Sequence, residues 1–80
     1  MGSRSDHHPA LVELGRRVRA ERTKLGWSQE RLAQQASLHF TYVSSVERGE
    51  RNISLINIVR LSEALGVDPA ALVSGLSLTH

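Results

Sequence analysis

The chain has 80 residues, of which 40% are hydrophobic, a formal net charge of +2 at pH 7 and no cysteine. This length allows one small domain, and the absence of cysteine excludes disulfide frameworks and thiolate metal sites. No apolar run approaches the roughly 18 residues that a membrane span needs, and the start lacks the apolar centre of a signal peptide. We therefore expect a cytoplasmic protein without a membrane partner.

The basic residues are unevenly distributed along the chain. Many of them cluster between Arg16 and Arg31, interleaved with Glu13, Glu21 and Glu30. This cluster is either a phosphate-facing surface or a solvated helix face. Charge alone leaves both interpretations open. Six of the ten basic residues lie in one short stretch: Arg16, Arg17, Arg19, Arg22, Lys24 and Arg31.

The chain begins with a polar stretch, residues 1–8, which we expect to be flexible, followed by a domain over residues 9–75 and a tail over residues 76–80. Pro9 suits the first turn of a helix, and Gly26 suits a left-handed cap at its end. Helical spacing of apolar residues predicts a first helix from Pro9 to Leu25, with Leu11, Leu14, Val18 and Leu25 on one face.

Two short helical patterns follow, at Gln29–Ala36 and at about Phe40–Glu47, with Ser28 as a good N-cap for the earlier one. Only three residues separate them, so the helices cannot lie antiparallel and must cross steeply, as in a helix-turn-helix. The later helix can then enter a DNA major groove, which is wide enough for one helix. The pattern predicts a sequence-specific DNA-binding module.

The turn between these helices has two unusual residues. The turn of a helix-turn-helix often contains glycine where this chain has Ser37, so either Ser37 adopts a left-handed conformation or the turn differs slightly. His39 is a poor N-cap, and Thr41 could cap the third helix instead, which would move the start of the helix by two residues.

Two more helices complete the chain. Ser54 caps a fourth helix that Gly66 ends, and Asp68-Pro69 starts a short fifth helix over about Pro69–Ser74. There is no strand-like alternation, so we predict one all-α domain of five short helices. The apolar face of the fourth helix comprises Leu55, Ile58, Leu61, Ser62 and Leu65.

Spaced motifs give the chain a family resemblance over about residues 14–73. They are GWSQ at 26–29, LA at 32–33, VERG at 46–49 and LSEALGV at 61–67. This combination resembles the lambda-repressor-like, or Xre-type, helix-turn-helix family. The run TYVSSVERGERNISLINI at 41–58 is particularly similar to the controller proteins of restriction–modification systems. The resemblance implies a compact five-helix fold and a homodimeric transcriptional regulator of a palindromic operator, without a cofactor.

The resemblance also implies which residues read bases, because in this family the third helix presents its first turn and outward face to the groove. Serine hydroxyls both donate and accept hydrogen bonds and therefore discriminate weakly between bases. Phe40 either touches thymine methyl groups or packs back on the domain. By position, the base-reading candidates are His39, Phe40, Thr41, Ser44 and Ser45.

A second set of residues is expected at phosphates. Gln29 begins the second helix, where free N–H groups and the helix dipole favour an anion, although it could also be a solvated side chain. Tyr42 either reaches a phosphate or buttresses the second helix. No arginine is predicted on the outer face of the third helix, so shape readout gains weight. The phosphate candidates are Gln29, Arg31, Tyr42, Arg48, Arg51, Asn52 and Arg17, of which Arg31 and Arg17 could equally be solvated.

Two further groups of residues have expected structural roles. The resemblance implies that Arg22 and Glu47 form a partly buried ion pair that braces the helices. A surplus of apolar residues near the end of the chain suggests a dimer interface, formed by Ile56, Val59, Leu72, Val73 and Leu76. Alternatively, Leu76 and Leu78 fold back over the core of the monomer.

Other functions fit the sequence less well. The four histidines, at 7, 8, 39 and 80, lack metal-ligand spacing, and Ser44 and Ser45 have no suitably spaced His–Asp partners. We therefore expect no enzymatic activity, no metal and no cofactor. A regulator of this kind acts by excluding or recruiting RNA polymerase. The alternative is a protein-interaction or antitoxin-like module with the same fold.

Overall fold

The computed structural model describes residues 8–79, within which there are five helices and no strand. The all-α fold class is confirmed. The predicted flexible segment lies outside the described residues except for His8, as does His80. None of the described helices is long and apolar enough to cross a membrane. The helices are α1 (Pro9–Lys24), α2 (Gln29–Ala36), α3 (Phe40–Glu47), α4 (Leu55–Leu65) and α5 (Pro69–Val73).

The core lies where the five helices meet. α2 packs against both α3 and α4, while α1 packs against α3 and α5. Each helix contributes at least one fully buried apolar side chain, so all five are required to exclude water from the interior. These side chains are Val18, Leu32, Val43, Val46, Leu61 and Leu72.

Three helices begin at the side-chain caps that the sequence predicts. Ser28 Oγ accepts a hydrogen bond from the Arg31 N–H at 3.0 Å. Ser54 Oγ accepts from the Asn57 N–H at 3.2 Å, and Asp68 Oδ1 accepts from Ala70 at 2.8 Å. Each cap satisfies an N–H group that has no partner within its helix. The starts of α2, α4 and α5 are therefore encoded locally.

The turn between α2 and α3 depends on a left-handed serine. Ser37 has φ 57° and ψ 44°, a conformation that costs about 1–2 kcal/mol outside glycine. α3 begins at Phe40 although His39 makes no side-chain cap, so the alternative cap at Thr41, with its later helix start, is wrong. The turn directs α3 across α2, as a helix-turn-helix requires.

The end of α3 lies directly against α1. An added Cβ at Gly15 would be 2.3 Å from the Val46 carbonyl oxygen, and one at Gly49 would be 2.9 Å from Val12 Cα. Only glycine allows the two backbones to approach this closely. The contact fixes the C-terminal end of α3 relative to α1.

Two helices end one residue before their approximate predicted ends, and one predicted core residue is exposed. α1 ends at Lys24, and Leu25 is exposed because it caps the helix beyond the core. α5 ends at Val73 rather than Ser74. Leu55, expected in the core, is 72% exposed, and Ile53 in the preceding loop is buried. Leu55 lies in the first turn of α4, which projects past the core.

Candidate nucleic-acid interface

One side of α3 faces away from the core. An α-helix turns about 100° per residue, so side chains four residues apart align along it. Val43 and Val46 point inward and are buried. The other side, which we call the outward face, is exposed except for the half-buried Ser44 and carries His39, Phe40, Thr41, Ser44 and Arg48.

Ser45 is an expected base-reading residue that the structure places elsewhere. It is buried, and its hydroxyl donates to the Tyr42 carbonyl oxygen at 2.8 Å. Ser45 Oγ in turn accepts a hydrogen bond from Arg51 Nε at 3.3 Å. Ser45 is therefore committed to contacts within the domain, which corrects the expectation of base contact.

Tyr42 and Arg51 form a stacked pair beside the outward face. The Arg51 guanidinium carbon lies 4.7 Å from the centre of the Tyr42 ring, within cation–π range. Tyr42 is half-buried and packs against the core, which agrees with the alternative that it buttresses the second helix. Arg51 and Asn52 are exposed in the loop after α3, so a phosphate could reach both side chains.

Arg48 lies at the C-terminal end of the outward face, where no arginine is expected from the sequence. It caps α3 with helical φ and ψ angles of −82° and −3°, so its side chain continues the line of Phe40 and Ser44. Its Nη1 donates to Ser44 Oγ, and its Nε donates to Glu50 Oε1 at 3.0 Å. The outward face therefore does carry an arginine. The four-residue spacing between Ser44 and Arg48 could have predicted this, because the helical backbone conformation continues for one residue after α3.

The start of α2 lies close to the end of α3. Gln29 Nε2 donates to Glu47 Oε1 at 2.9 Å, so the Gln29 amide is oriented by the domain. Arg31 is exposed, with its guanidinium carbon 5.0 Å from the centre of the Trp27 ring. Trp27 precedes the Ser28 N-cap, so this contact joins the chain before α2 to the first turn of that helix.

The predicted pair of Arg22 and Glu47 forms inside the domain. Arg22 Nε and Nη2 donate to the two carboxylate oxygens at 2.7 and 2.9 Å. The Arg22 side chain is 11% exposed and that of Glu47 is 4% exposed. Hydrogen bonding to Glu47 raises the pKa of Arg22. A third bond, from Arg22 Nη1 to the Trp27 carbonyl at 2.7 Å, fixes the chain before α2.

Arg17, a phosphate candidate, is held against α5 instead. Its Nη1 donates to the carbonyl oxygens of Leu72 at 3.2 Å and Ser74 at 2.8 Å. Its Nε donates to Glu13 Oε2 at 2.9 Å. Hydrogen bonds from Arg16 and Arg17 lower the pKa of Glu13 to about 2. Arg17 therefore holds the C-terminal end of α5, and its expected contact with a phosphate stays a prediction.

The expected dimer residues divide into buried and exposed groups. Leu72 is fully buried in the core, so it cannot form an interface as predicted. Val73 and Leu76 are half-buried and pack against the core. For Leu76, which belongs to the predicted tail, this matches the alternative that it folds back over the core of the monomer. Ile56 is 63% exposed. Leu78 is also exposed, so the alternative that it folds back over the core is wrong.

Known proteins resemble this chain in both sequence and fold. The helix-turn-helix family model matches residues 18–72. Control protein C.BamHI from Bacillus amyloliquefaciens is 54% identical over 56 residues, which are 69% of each protein. Control protein C.MunI from Mycoplasma sp is 43% identical over 61 residues, covering 76% of this chain and 80% of that protein.

A solved structure extends the likeness to three dimensions. The restriction–modification controller protein C.AhdI from Aeromonas hydrophila has 50% sequence identity and a TM-score of 0.76, covering 78% of this chain and 94% of that chain. Together with the helix-turn-helix geometry of α2 and α3, these matches confirm the resemblance to controller proteins. The chain belongs to the helix-turn-helix family of DNA-binding transcriptional regulators.

Proposed function

We propose that two copies of this chain bind a palindromic operator and regulate transcription as a restriction–modification controller does. The observation that carries the proposal is the outward face, which presents hydroxyl, aromatic and guanidinium groups to the solvent. Phe40, Thr41 and Ser44 lie on it, where a helix in a major groove meets base edges.

Phosphate contacts would surround this helix on two sides. Arg51 and Asn52 follow α3, while Gln29 and Arg31 lie in the first turn of α2, whose N-terminus favours anions. Such contacts position a protein on DNA without reading sequence. Because they release counterions from DNA, binding should weaken steeply as salt rises from about 50 to 200 mM. A flat dependence would contradict the arrangement.

The dimer would form through the exposed side of α4. Leu55 and Ile56 are 72% and 63% exposed, and the neighbouring Val59 is half-buried. Large adjacent apolar side chains on so small a surface are typical of a protein interface. A two-fold dimer formed here would present two α3 helices to the DNA. They must lie about 34 Å apart to enter successive major grooves.

The dimer is tested by sedimentation equilibrium at tens of micromolar. Ile56→Gln should raise the dissociation constant. Leu25→Gln also changes an exposed leucine, but one at the C-cap of α1, and should leave the dissociation constant unchanged. A monomer mass at every concentration of the unsubstituted protein would refute the dimer.

The operator is tested by selecting bound duplexes from a random DNA pool. We expect a palindrome with half-site centres about 10 base pairs apart. Asn52→Asp should weaken binding to it, whereas Gln35→Glu makes the same change of charge on an exposed α2 residue beside α4 and should not. Recovery of no preferred sequence would favour the protein-interaction alternative. The position of the operator relative to the promoter would then decide whether RNA polymerase is excluded or recruited.

A further inference from the structure

The contacts of Arg48 favour a more specific role than phosphate binding. Nε is bonded to Glu50 and Nη1 to Ser44, so two of the five guanidinium N–H groups are used. Those that remain are one on Nη1 and two on Nη2. They form the end of the fork that pairs with two acceptors at once.

The position of the guanidinium matters as much as its donors. Arg48 is 54% exposed, yet its bond to Ser44 brings it back along α3 over the outward face. A phosphate contact needs no such return, because the DNA backbone borders the groove. An arginine over the centre of a groove-binding helix meets base edges instead, and guanine offers two acceptors, N7 and O6, to that fork.

Glu50 is the second part of the arrangement. Its carboxylate accepts from Arg48 Nε at 3.0 Å, and a negative charge beside DNA opposes binding to phosphate. An acid here lowers affinity for any duplex, and its bond to Arg48 restrains that guanidinium. Exposed ion pairs are individually weak, so the pair can adjust when the groove closes over it.

We propose that Arg48 reads a guanine in each half-site and that Glu50 is a positioning residue that holds Arg48 over Ser44 for this purpose. The inference rests on the proposed function, since it assigns one base contact within the same interface. It makes Glu50 a determinant of specificity that reduces overall affinity.

The test compares a selected operator with variants changed one base pair at a time in both half-sites, and with a scrambled duplex. Arg48→Ala should lose discrimination at one symmetric G·C pair by between about 5-fold and about 150-fold per half-site. Arg48→Lys should retain most affinity for the scrambled duplex and still lose that discrimination, because lysine has no planar fork.

Glu50→Gln should strengthen binding to the scrambled duplex and reduce discrimination at the same base pair. Glu21→Gln removes the same charge from α1, where Glu21 pairs with Lys24, and should leave the specificity ratio unchanged. If Arg48→Ala weakens binding to every duplex equally, or Glu50→Gln changes affinity without changing the ratio, the inference is wrong. Failure of the unsubstituted protein to bind any duplex would instead overturn the proposed function.

Discussion

Two arginine–glutamate pairs flank the C-terminal end of α3, and they differ mainly in burial. Arg22 and Glu47 are 11% and 4% exposed, whereas Arg48 and Glu50 are 54% and 39% exposed. In each pair an arginine Nε donates to a carboxylate oxygen, at 2.7 and 3.0 Å. Water screens the charges of the exposed pair. In the buried pair, each charge is compensated mainly by its partner. The buried pair therefore serves the fold, and the exposed pair is available to DNA.

The largest effect should come from breaking the buried pair. Arg22→Ala leaves the Glu47 carboxylate without its main partner in the interior, which costs about 3–5 kcal/mol. For a domain of this size, that loss lowers the melting temperature by more than about 12 °C. Arg19→Ala, at an exposed position on the same helix, is the control. A melting temperature within about one degree of the unsubstituted protein would reject the role of the pair.

A smaller loss should follow from separating the helices that the buried pair joins. Gly15→Ala places a methyl group 2.3 Å from the Val46 carbonyl oxygen, so α1 must move away from α3. Overpacking of this kind costs about 1–3 kcal/mol, although alanine normally stabilises a helix relative to glycine. Chemical denaturation shows whether the substitution raises or lowers the free energy of unfolding. A stabilised variant would show that the contact is not tight.

Arg17 is intermediate in exposure, at 22% for its side chain, and should have an intermediate effect. Arg17→Ala removes two bonds, to the carbonyl groups of Leu72 in α5 and of Ser74 just after it. It should cost about 1–2 kcal/mol, at the lower end for bonds to a charged group. Operator affinity measured well below the melting temperature should keep its salt dependence. A reduced salt slope would restore Arg17 as a phosphate contact.

The smallest effect on stability should come from the exposed pair. Arg48→Ala should change the free energy of unfolding by less than about 0.5 kcal/mol, as is usual for exposed positions. Its effect on DNA recognition should nevertheless be large. Thermal unfolding and operator titration on the same preparation separate the two. Comparable losses of stability for Arg48→Ala and Arg22→Ala would remove the distinction between the pairs.

The sequence predicts the helices better than their contacts because helix starts are encoded locally. The hydroxyl or carboxylate of Ser28, Ser54 and Asp68 lies within three residues of the N–H group that it binds. The bonds of Arg17 to Leu72 and Ser74 could not be predicted in this way, because their acceptors lie 55 and 57 residues away, beyond the reach of any local pattern.

Helical periodicity predicts that a residue lies on a face, but not which face the core requires. Leu55 has the spacing of a core residue and is exposed, while Ile53, outside the helix, is buried. Ser45 lies at the edge of the outward face, and only its bond to Tyr42 shows that it turns inward. The pair of Arg22 and Glu47 was recognised through family resemblance, since 25 residues separate them.

Amide chemical-shift changes on adding operator DNA show whether the outward face of α3 meets the operator. We expect the largest changes in Phe40–Arg48, with a second group at the start of α2 around Gln29. Changes concentrated in α5 and the tail, with α3 unaffected, would contradict it.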